Sequence, residues 1–240
     1  MPQAIERISL WIAEQGRDCK LVATPNVDHV VQVYRRSELA DIFRASSMNL
    51  ADGWPLVTMS RFYGPGLPER VPGSDLLPKL CQHAHDHRNP LRLFLLGGSP
   101  GVPERAAQAI TESWPSVNVV GCASPALGFE QDIDYNDSLC EEISHSGADV
   151  LVVCLGFPKQ ELWTIAHKAK LQIPVALALG GTIDFLAGQQ KRAPKWIQNL
   201  RLEWLHRLAT NPRRLAKRYA TDILFFPWIC VRYSLSGNKL

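Results

Sequence analysis

The chain has 240 residues, 46% of them hydrophobic and 20% charged, with a net charge of +3. That make-up excludes a disordered or low-complexity chain and fits one large or two small folded domains. The charge is uneven: residues 191–240 hold eleven Lys/Arg against two acids, a net of +9, whereas residues 1–190 hold fifteen against twenty-one, a net of −6.

Residues 1–16 mix Glu6, Arg7, Glu14 and Gln15 into an amphipathic pattern, without the continuous apolar stretch of a signal peptide. Residues 19–24 read as a strand that stops at Pro25, and 27–45 as helix in two pieces. A short strand over 47–51 ends at Asp52-Gly53. The pattern then predicts a helix over 74–87 with Gly73 or Ser74 near its N-cap. An apolar strand over 91–96 runs into Gly97-Gly98-Ser99-Pro100-Gly101 and a helix over 103–113. A strand over 117–120 and a helix over 135–144 follow. The apolar strand 149–155 ends at Gly156-Phe157-Pro158, the helix 159–170 comes next, and the strand 174–179 is closed by Gly180-Gly181.

Near-continuous Val/Leu/Ala strands alternating with helices predict a parallel sheet covered on both faces. The fold class is therefore α/β: a Rossmann-like, mostly parallel sheet with helices on both faces, plus a C-terminal helical appendage. The charge changes sign near Gly188-Gln189-Gln190, which sets the expected domains at 1–190 and 191–240. Residues 196–234 read as almost entirely helical, broken by Pro212 and Pro227. Six cysteines at 19, 81, 122, 140, 154 and 230 form no C-x-x-C pair. Their scatter argues for a reducing cytoplasm and against disulfides or a zinc site.

The tail begins Lys191-Arg192-Ala193-Pro194-Lys195-Trp196, continues through Arg201, Arg207, Arg213-Arg214 and Lys217-Arg218, and ends in the run Ile223-Leu224-Phe225-Phe226-Pro227-Trp228-Ile229. Cations followed by an aromatic, apolar run suit an anionic membrane surface. Nucleic acid would want the cations but not the apolar run, so no nucleic-acid partner is expected. A solvated basic helix is the plain alternative, and Phe225, Phe226 and Trp228 together count against it. The longest apolar stretch, 223–231, contains Pro227 and falls short of the ~20 residues that span a bilayer. The expected location is the cytoplasm, peripherally bound to the inner face of the cytoplasmic membrane. An exposed apolar patch would join subunits into a homo-oligomer as readily as it meets lipid.

Open α/β sheets bind ligands at the carboxyl ends of their strands. Four such ends carry unusual residues: Thr24-Pro25-Asn26, Ala51-Asp52-Gly53, Gly97-Gly98-Ser99 and Gly156-Phe157-Pro158-Lys159-Gln160-Glu161. Glycine turns at Gly97 and Gly98 would let backbone amides approach a diphosphate, although tight-turn geometry explains such glycines equally well. The full dinucleotide spacing and its ribose acid are missing, which counts against a nicotinamide-dependent oxidoreductase. Asp52 reads either as a turn or N-cap carboxylate or as a general base for a sugar hydroxyl. His83, His85 and His87 read as a solvated helix surface, since 83 and 87 share a face and 85 does not. Asp132-Ile133-Asp134 is formally a D-x-D metal signature, but its acids also suit the first turn of a helix. No metal site and no cofactor is expected.

Taken in order, Thr24-x-Asn26, Ala51-Asp52-Gly53, Leu67-Pro68-Glu69-Arg70-Val71-x-Gly73-Ser74-Asp75, Gly156-x-Pro158-Lys159-Gln160-Glu161, Gly180-Gly181-x-x-Asp184-Phe185, Arg192-Ala193-Pro194 and Leu202-Glu203-Trp204-Leu205-x-Arg207-Leu208 through Pro212-x-Arg214 and Arg218-Tyr219 resemble the WecG/TagA/CpsF glycosyltransferases, family 26. The resemblance runs from about residue 19 to 220. It implies metal-independent, inverting transfer of a sugar from a UDP-sugar to a polyprenyl-diphosphate-linked saccharide in bacterial surface polysaccharide synthesis. It also implies a helical appendage that closes on the active site and touches the membrane. Carried over by motif, Asp52 is the base, with Thr24 and Asn26 lining its pocket. Arg70 faces the diphosphate, Gln160 and Glu161 lie in the nucleotide-sugar cleft, and Arg207, Arg214 and Arg218 meet the lipid diphosphate or departing UDP. Trp54-Pro55 departs from the small, glycine-rich stretch of some relatives, which leaves the identity of the sugar open. The rival to an enzyme is a non-catalytic module that binds the membrane surface.

Overall fold

A computed structural model describes residues 1–14, 16–190, 193–200 and 202–235. Lys191, Arg192 and the side chains of Lys195, Asn199 and Arg214 lie outside the described residues, and with them the expected role of Arg214. The chain runs α1 (Pro2–Ala13), β1 (Lys20–Ala23), α2 (Val27–Arg35), α3 (Ala40–Ala45), β2 (Met48–Asn49), α4 (Trp54–Tyr63), α5 (Gly73–Asp86), β3 (Leu91–Gly97) and α6 (Val102–Ser113). It continues with β4 (Val117–Ala123), α7 (Ile133–His145), β5 (Val150–Cys154), α8 (Lys159–Leu171), β6 (Val175–Ala178) and α9 (Thr182–Leu186). Three helices close it: α10 (Lys195–Asn199), α11 (Glu203–Thr210) and α12 (Pro212–Leu235).

These elements form two compact units. The first, Met1–Thr24, Asp41–Leu50 and Val71–Gln190, is the sheet body. Its six strands are ordered β2-β1-β6-β5-β3-β4, and every neighbouring pair is parallel. Register puts Val22, Leu177, Val152 and Leu95 in one row across four strands, and Leu21, Ala176, Leu151 and Phe94 in the next. Successive side chains on a strand point to opposite faces, so the two rows feed two cores. The first row packs with Ile5 and Ile8 of α1, Leu76, Leu77 and Leu80 of α5, and Ala106 and Ile110 of α6. The second packs with Leu139 and Ile143 of α7 and Trp163 and Leu171 of α8. Burial on both faces is what made the strands legible as unbroken apolar runs. The expected helix over 135–144 is α7, and Asp132 is its N-cap, accepting from the Tyr135 amide at 3.0 Å.

The second unit, Pro25–Ala40, Ala51–Arg70 and Lys191–Leu240, is helical. It combines α2, α4 and α10 to α12, so the tail helices share a unit with two segments from much earlier in the chain. Here α12 packs on α2 through polar and aromatic contacts. The Arg232 guanidinium lies 5.7 Å over the Tyr34 ring and donates to its hydroxyl at 2.6 Å, and Arg35 lies 5.8 Å over Phe225. Tyr63 of α4 donates to the Cys230 carbonyl at 2.7 Å and meets the Tyr233 ring edge-on at 4.7 Å.

One local expectation is corrected, and one helix lies where the sequence pattern assigns none. Sequence reading placed a break at Pro227, but α12 runs through it for 24 residues. Pro227 lies on the exposed side, as does Ile223, whose carbonyl loses its helical donor and can bond water instead. The unassigned helix is α4, Trp54–Tyr63, in a stretch left without an element in the sequence reading. Pro55 at the second helical position needs no hydrogen bond there and starts the helix at its preferred φ.

Candidate active site

In the sheet body, the strand ends bring five expected residues to one edge. The helices after β3 and β6 pack on one face of the sheet and the helix after β5 on the other. Connections that leave neighbouring strands in opposite directions open a crevice at the strands' carboxyl ends, so β5 has one on each side. Gly97 and Gly98 line the β3 side. A Cβ on Gly97 would sit 2.4 Å from the Cys154 carbonyl oxygen, and its φ of +111° is one that L side chains rarely adopt. This glycine therefore serves a close approach of two strand ends.

Gln160 and Glu161, in the first turn of α8, are fully buried. The Gln160 Oε1 accepts from the Gly156 amide at 3.2 Å and the Gly180 amide at 3.0 Å, fastening the turns after β5 and β6 to one side chain. Its Nε2 donates to Glu161 Oε1 at 2.8 Å, while Glu161 Oε2 is buried without a partner. Burial pushes the Glu161 carboxyl up to about 7, against the bond from Gln160 that favours the charged form. Thr24, at the end of β1, donates to the Ala178 carbonyl at the end of β6, 3.1 Å away.

The helical unit carries the remaining expected residues. Asp52 is half-buried, and its amide donates to the Pro25 carbonyl at 2.8 Å, tying it to the turn before α2. Asn26 caps α2: its Oδ1 accepts from the His29 amide at 3.3 Å, and its own amide donates to His29 Nδ1 at 3.1 Å. Burial, aided by the charge of Arg218, drives His29 down to about 3, so it is neutral and able to accept that bond. Arg218 Nη2 lies 3.4 Å from Asn26 Oδ1, and its Nε lies 3.4 Å from Asp28 and 3.9 Å from Asp222. Burial, reinforced by Asp28, raises the Asp222 carboxyl to about 6, with Arg218 opposing it.

Arg70 and Arg207 meet on one buried carboxylate. Glu203 Oε2 accepts from Arg70 Nη1 at 3.1 Å and Oε1 from Arg207 Nη2 at 2.9 Å. Burial alone would raise the Glu203 carboxyl, but Arg207 and Arg70 together hold it below the usual carboxylate range. The structure thus pairs Asn26 with Arg218, Arg70 with Arg207 through Glu203, and Gln160 with Glu161. Sequence reasoning missed Glu203, Asp28, Asp222 and His29 as site neighbours. The spacing of Glu203 four residues before Arg207 and of Asp222 four residues after Arg218 was the available signal, because such pairs share a helix face. Nothing local joins Arg70 to a residue 133 positions away.

The histidines of α5 make local contacts: His87 Nδ1 donates to the His83 carbonyl at 2.8 Å, and His85 bonds Ser116 at 3.0 Å. Among the described residues, no three His, Cys, Asp or Glu side chains are grouped to hold a metal ion. Likewise, no described helix is long and apolar enough to cross a membrane.

The sheet body is an all-parallel α/β sheet with glycine turns at its carboxyl edge, and the helical unit gathers arginines on buried carboxylates. The whole chain, residues 1–240, matches the Glycosyl transferase WecG/TagA/CpsF family and belongs to it; it is a glycosyltransferase. Among curated proteins it is similar to the N-acetylglucosaminyldiphosphoundecaprenol N-acetyl-beta-D-mannosaminyltransferases of Staphylococcus aureus strains NCTC 8325 / PS 47, COL and N315. Each is 27% identical over 227 residues, covering 94% of this chain and 86% of the relative.

Proposed function

We propose that this glycosyltransferase moves an N-acetylhexosamine from a UDP-sugar to a polyprenyl-diphosphate-linked saccharide with inversion, as part of building a bacterial surface polymer. Family membership over the full chain supports transfer chemistry, and the printed name of the Staphylococcus aureus relatives supports a lipid-diphosphate acceptor. The observation that carries the reading is the convergence of Arg70 and Arg207 on one carboxylate, since two guanidiniums gathered that closely also suit a diphosphate.

In the proposed step the acceptor hydroxyl oxygen attacks the anomeric carbon of the donor, its proton passes to the Asp52 carboxylate, and the bond to UDP breaks with both electrons leaving on the diphosphate. Arg70, Arg207 and Arg218 stabilise the negative charge that develops there. By the family motifs, Thr24 and Asn26 are assigned with Asp52 to the acceptor side, and Gly97, Gly98, Gln160 and Glu161 to the nucleotide-sugar cleft. The buried position of Gln160 makes its part indirect: it holds the two turns that would meet the nucleotide.

For the membrane, α12 supports interfacial attachment of residues 191–240. Leu224, Trp228, Val231 and Leu235 are exposed at spacings of three to four residues, with Ile223 exposed next to Leu224 and Arg213 and Lys217 exposed toward the start of the helix. A basic helix with such an outward apolar stripe lies in a lipid headgroup region.

The test is UDP release from a panel of UDP-sugars with a short-chain lipid-diphosphate acceptor, with and without EDTA. Acceptor-dependent release from one donor, unchanged by EDTA, is expected; absence of release with every donor would remove the proposal. Asp52→Asn should cost about 10²–10⁴ in turnover while leaving the thermal melt in place. Retention of most of the rate would remove Asp52 as the base.

A further inference from the structure

We propose that Glu203 is a positioning residue that makes Arg70 and Arg207 into a single diphosphate clamp. The inference rests on the reading above, in which these arginines face a diphosphate. Glu203 is the first residue of α11, where the helix dipole favours a carboxylate. It is buried, and each of its oxygens holds a different guanidinium. Arg70 comes from the segment after α4 and Arg207 from the next turn of α11, so no backbone element holds the two side by side. The carboxylate does.

A long arginine side chain loses considerable rotamer freedom when it is fixed on a ligand. Glu203 removes that freedom in advance, with the Arg70 side chain only 17% exposed and that of Arg207 37% exposed. Binding then costs less than it would with two freely rotating cations. The acid also offsets one of the two positive charges, which keeps the pair from repelling each other without an anion present. A guanidinium has five N–H donors in a planar fork. Glu203 accepts from one terminal nitrogen of each fork, and a guanidinium fork is suited to binding phosphate in two-point fashion.

The opposite role would be competition, with Glu203 occupying the ground that a diphosphate would take. The two differ in sign, so a charge-neutral replacement separates them. Glu203→Gln keeps the size of the side chain and loses the ionic hold on both arginines. Binding of pyrophosphate, measured by calorimetry on the full chain, is the direct readout. The native protein should bind it, and Glu203→Gln should bind about tenfold more weakly. In turnover, the same variant should raise KM more than it lowers kcat. A rise in the donor KM would assign the clamp to UDP, and a rise in the acceptor KM would assign it to the lipid diphosphate. Unchanged or tighter pyrophosphate binding by Glu203→Gln overturns the proposal, as does failure of the native protein to bind pyrophosphate.

Should Glu203→Gln fail to fold, Arg70→Lys, Arg207→Lys and the double variant replace it. Losses smaller in the double than the sum of the singles support a clamp built through one carboxylate; additive losses overturn it. Pyrophosphate binding with the expected pattern but without sugar transfer from any UDP-sugar would retire the proposed reaction and leave the clamp standing.

Discussion

In the sheet body, Leu93, Leu95, Val152, Val175 and Leu177 are sealed between strands and helices, and the acids and bases lie outside apart from Asp149 and Glu161. In the helical unit, Ile223, Leu224, Trp228, Val231 and Leu235 point outward while His29, Glu203 and Asp222 are buried. The body is built as the hydrophobic effect would have it: apolar area leaves water, and the buried polar side-chain atoms are paired apart from Glu161 Oε2 and Ser74 Oγ among the described residues. The helical unit is held by ion pairs, an N-cap, cation–π contacts and a few aromatic edges. A polypeptide that spends its large apolar side chains on its surface has another apolar surface to meet. The difference teaches that burial is concentrated in the body while α12 leaves apolar side chains exposed, which is what the proposed attachment of the tail would use.

The largest contrast should come from cutting equal side chains in the two places. Leu95→Ala removes a fully buried side chain from the center of the sheet and should cost about 2–5 kcal/mol by chemical denaturation. Leu224→Ala removes a side chain that is 70% exposed and should change stability by no more than about 0.5 kcal/mol. Similar losses at both positions would break the comparison, because α12 would then be contributing to a core.

Acid and base should also act with opposite signs on two buried groups, Glu161 in the body and His29 in the helical unit. Glu161 in the body has its carboxyl raised from 4.5 to about 7 by burial, so the folded state holds its proton more tightly than the unfolded chain. Stability from this group is full below about 4.5 and is lost as the pH rises through 7. His29 in the helical unit is lowered from 6.5 to about 3 by burial and by Arg218, so the unfolded chain binds the proton more tightly. Its contribution is present above 6.5 and is lost as the pH falls toward 3. Denaturation midpoints between pH 4 and 8 should lose their alkaline-side decline in Glu161→Gln and their acid-side decline in His29→Gln. Retention of either slope in its own variant would show that the wrong group has been credited.

How much of this was legible beforehand follows the same division. The body's strands could be read because burial on both faces writes an unbroken apolar run, and the helices between them because burial on one side writes a period near four. Pro55 and Pro227 were harder. The same residue type starts α4 and sits inside α12, and what separates the cases is whether the hydrogen bond it removes was needed, which depends on the surrounding packing. The order of motifs pointed to Asn26, Arg70, Gln160, Arg207 and Arg218, but not to what each touches. Gln160 reads as a cleft residue, yet its buried amide bridges two turns that lie 24 residues apart in the sequence, at Gly156 and Gly180. Glu203 and Asp222 are the tail's two acids among eleven cations, and both are used on arginines. By charge alone they read as a small correction to the tail, and their spacing of four from Arg207 and Arg218 is what marks them.

The smallest effect on the fold should accompany a clear effect on attachment. Trp228 is 56% exposed in the middle of the α12 stripe, so Trp228→Ser should shift the denaturation midpoint by no more than about 0.5 kcal/mol. If the stripe lies in a lipid interface, the indole loses its burial there, and large apolar side chains contribute about 1.5–3 kcal/mol each when moved out of water. Partition onto vesicles containing an anionic lipid should therefore fall by about tenfold or more, with turnover on a water-soluble short-chain acceptor kept. The charged part of the interaction is separable, because salt screens the cations at Arg213 and Lys217 but not the indole. Raising salt should weaken the native protein and the variant by the same factor. A variant that binds vesicles as well as the native protein, while both remain salt-sensitive, would mean that the cations alone provide attachment. The outward apolar stripe would then need a protein surface, such as a second copy of the chain, and the oligomeric state of Trp228→Ser in solution would show it.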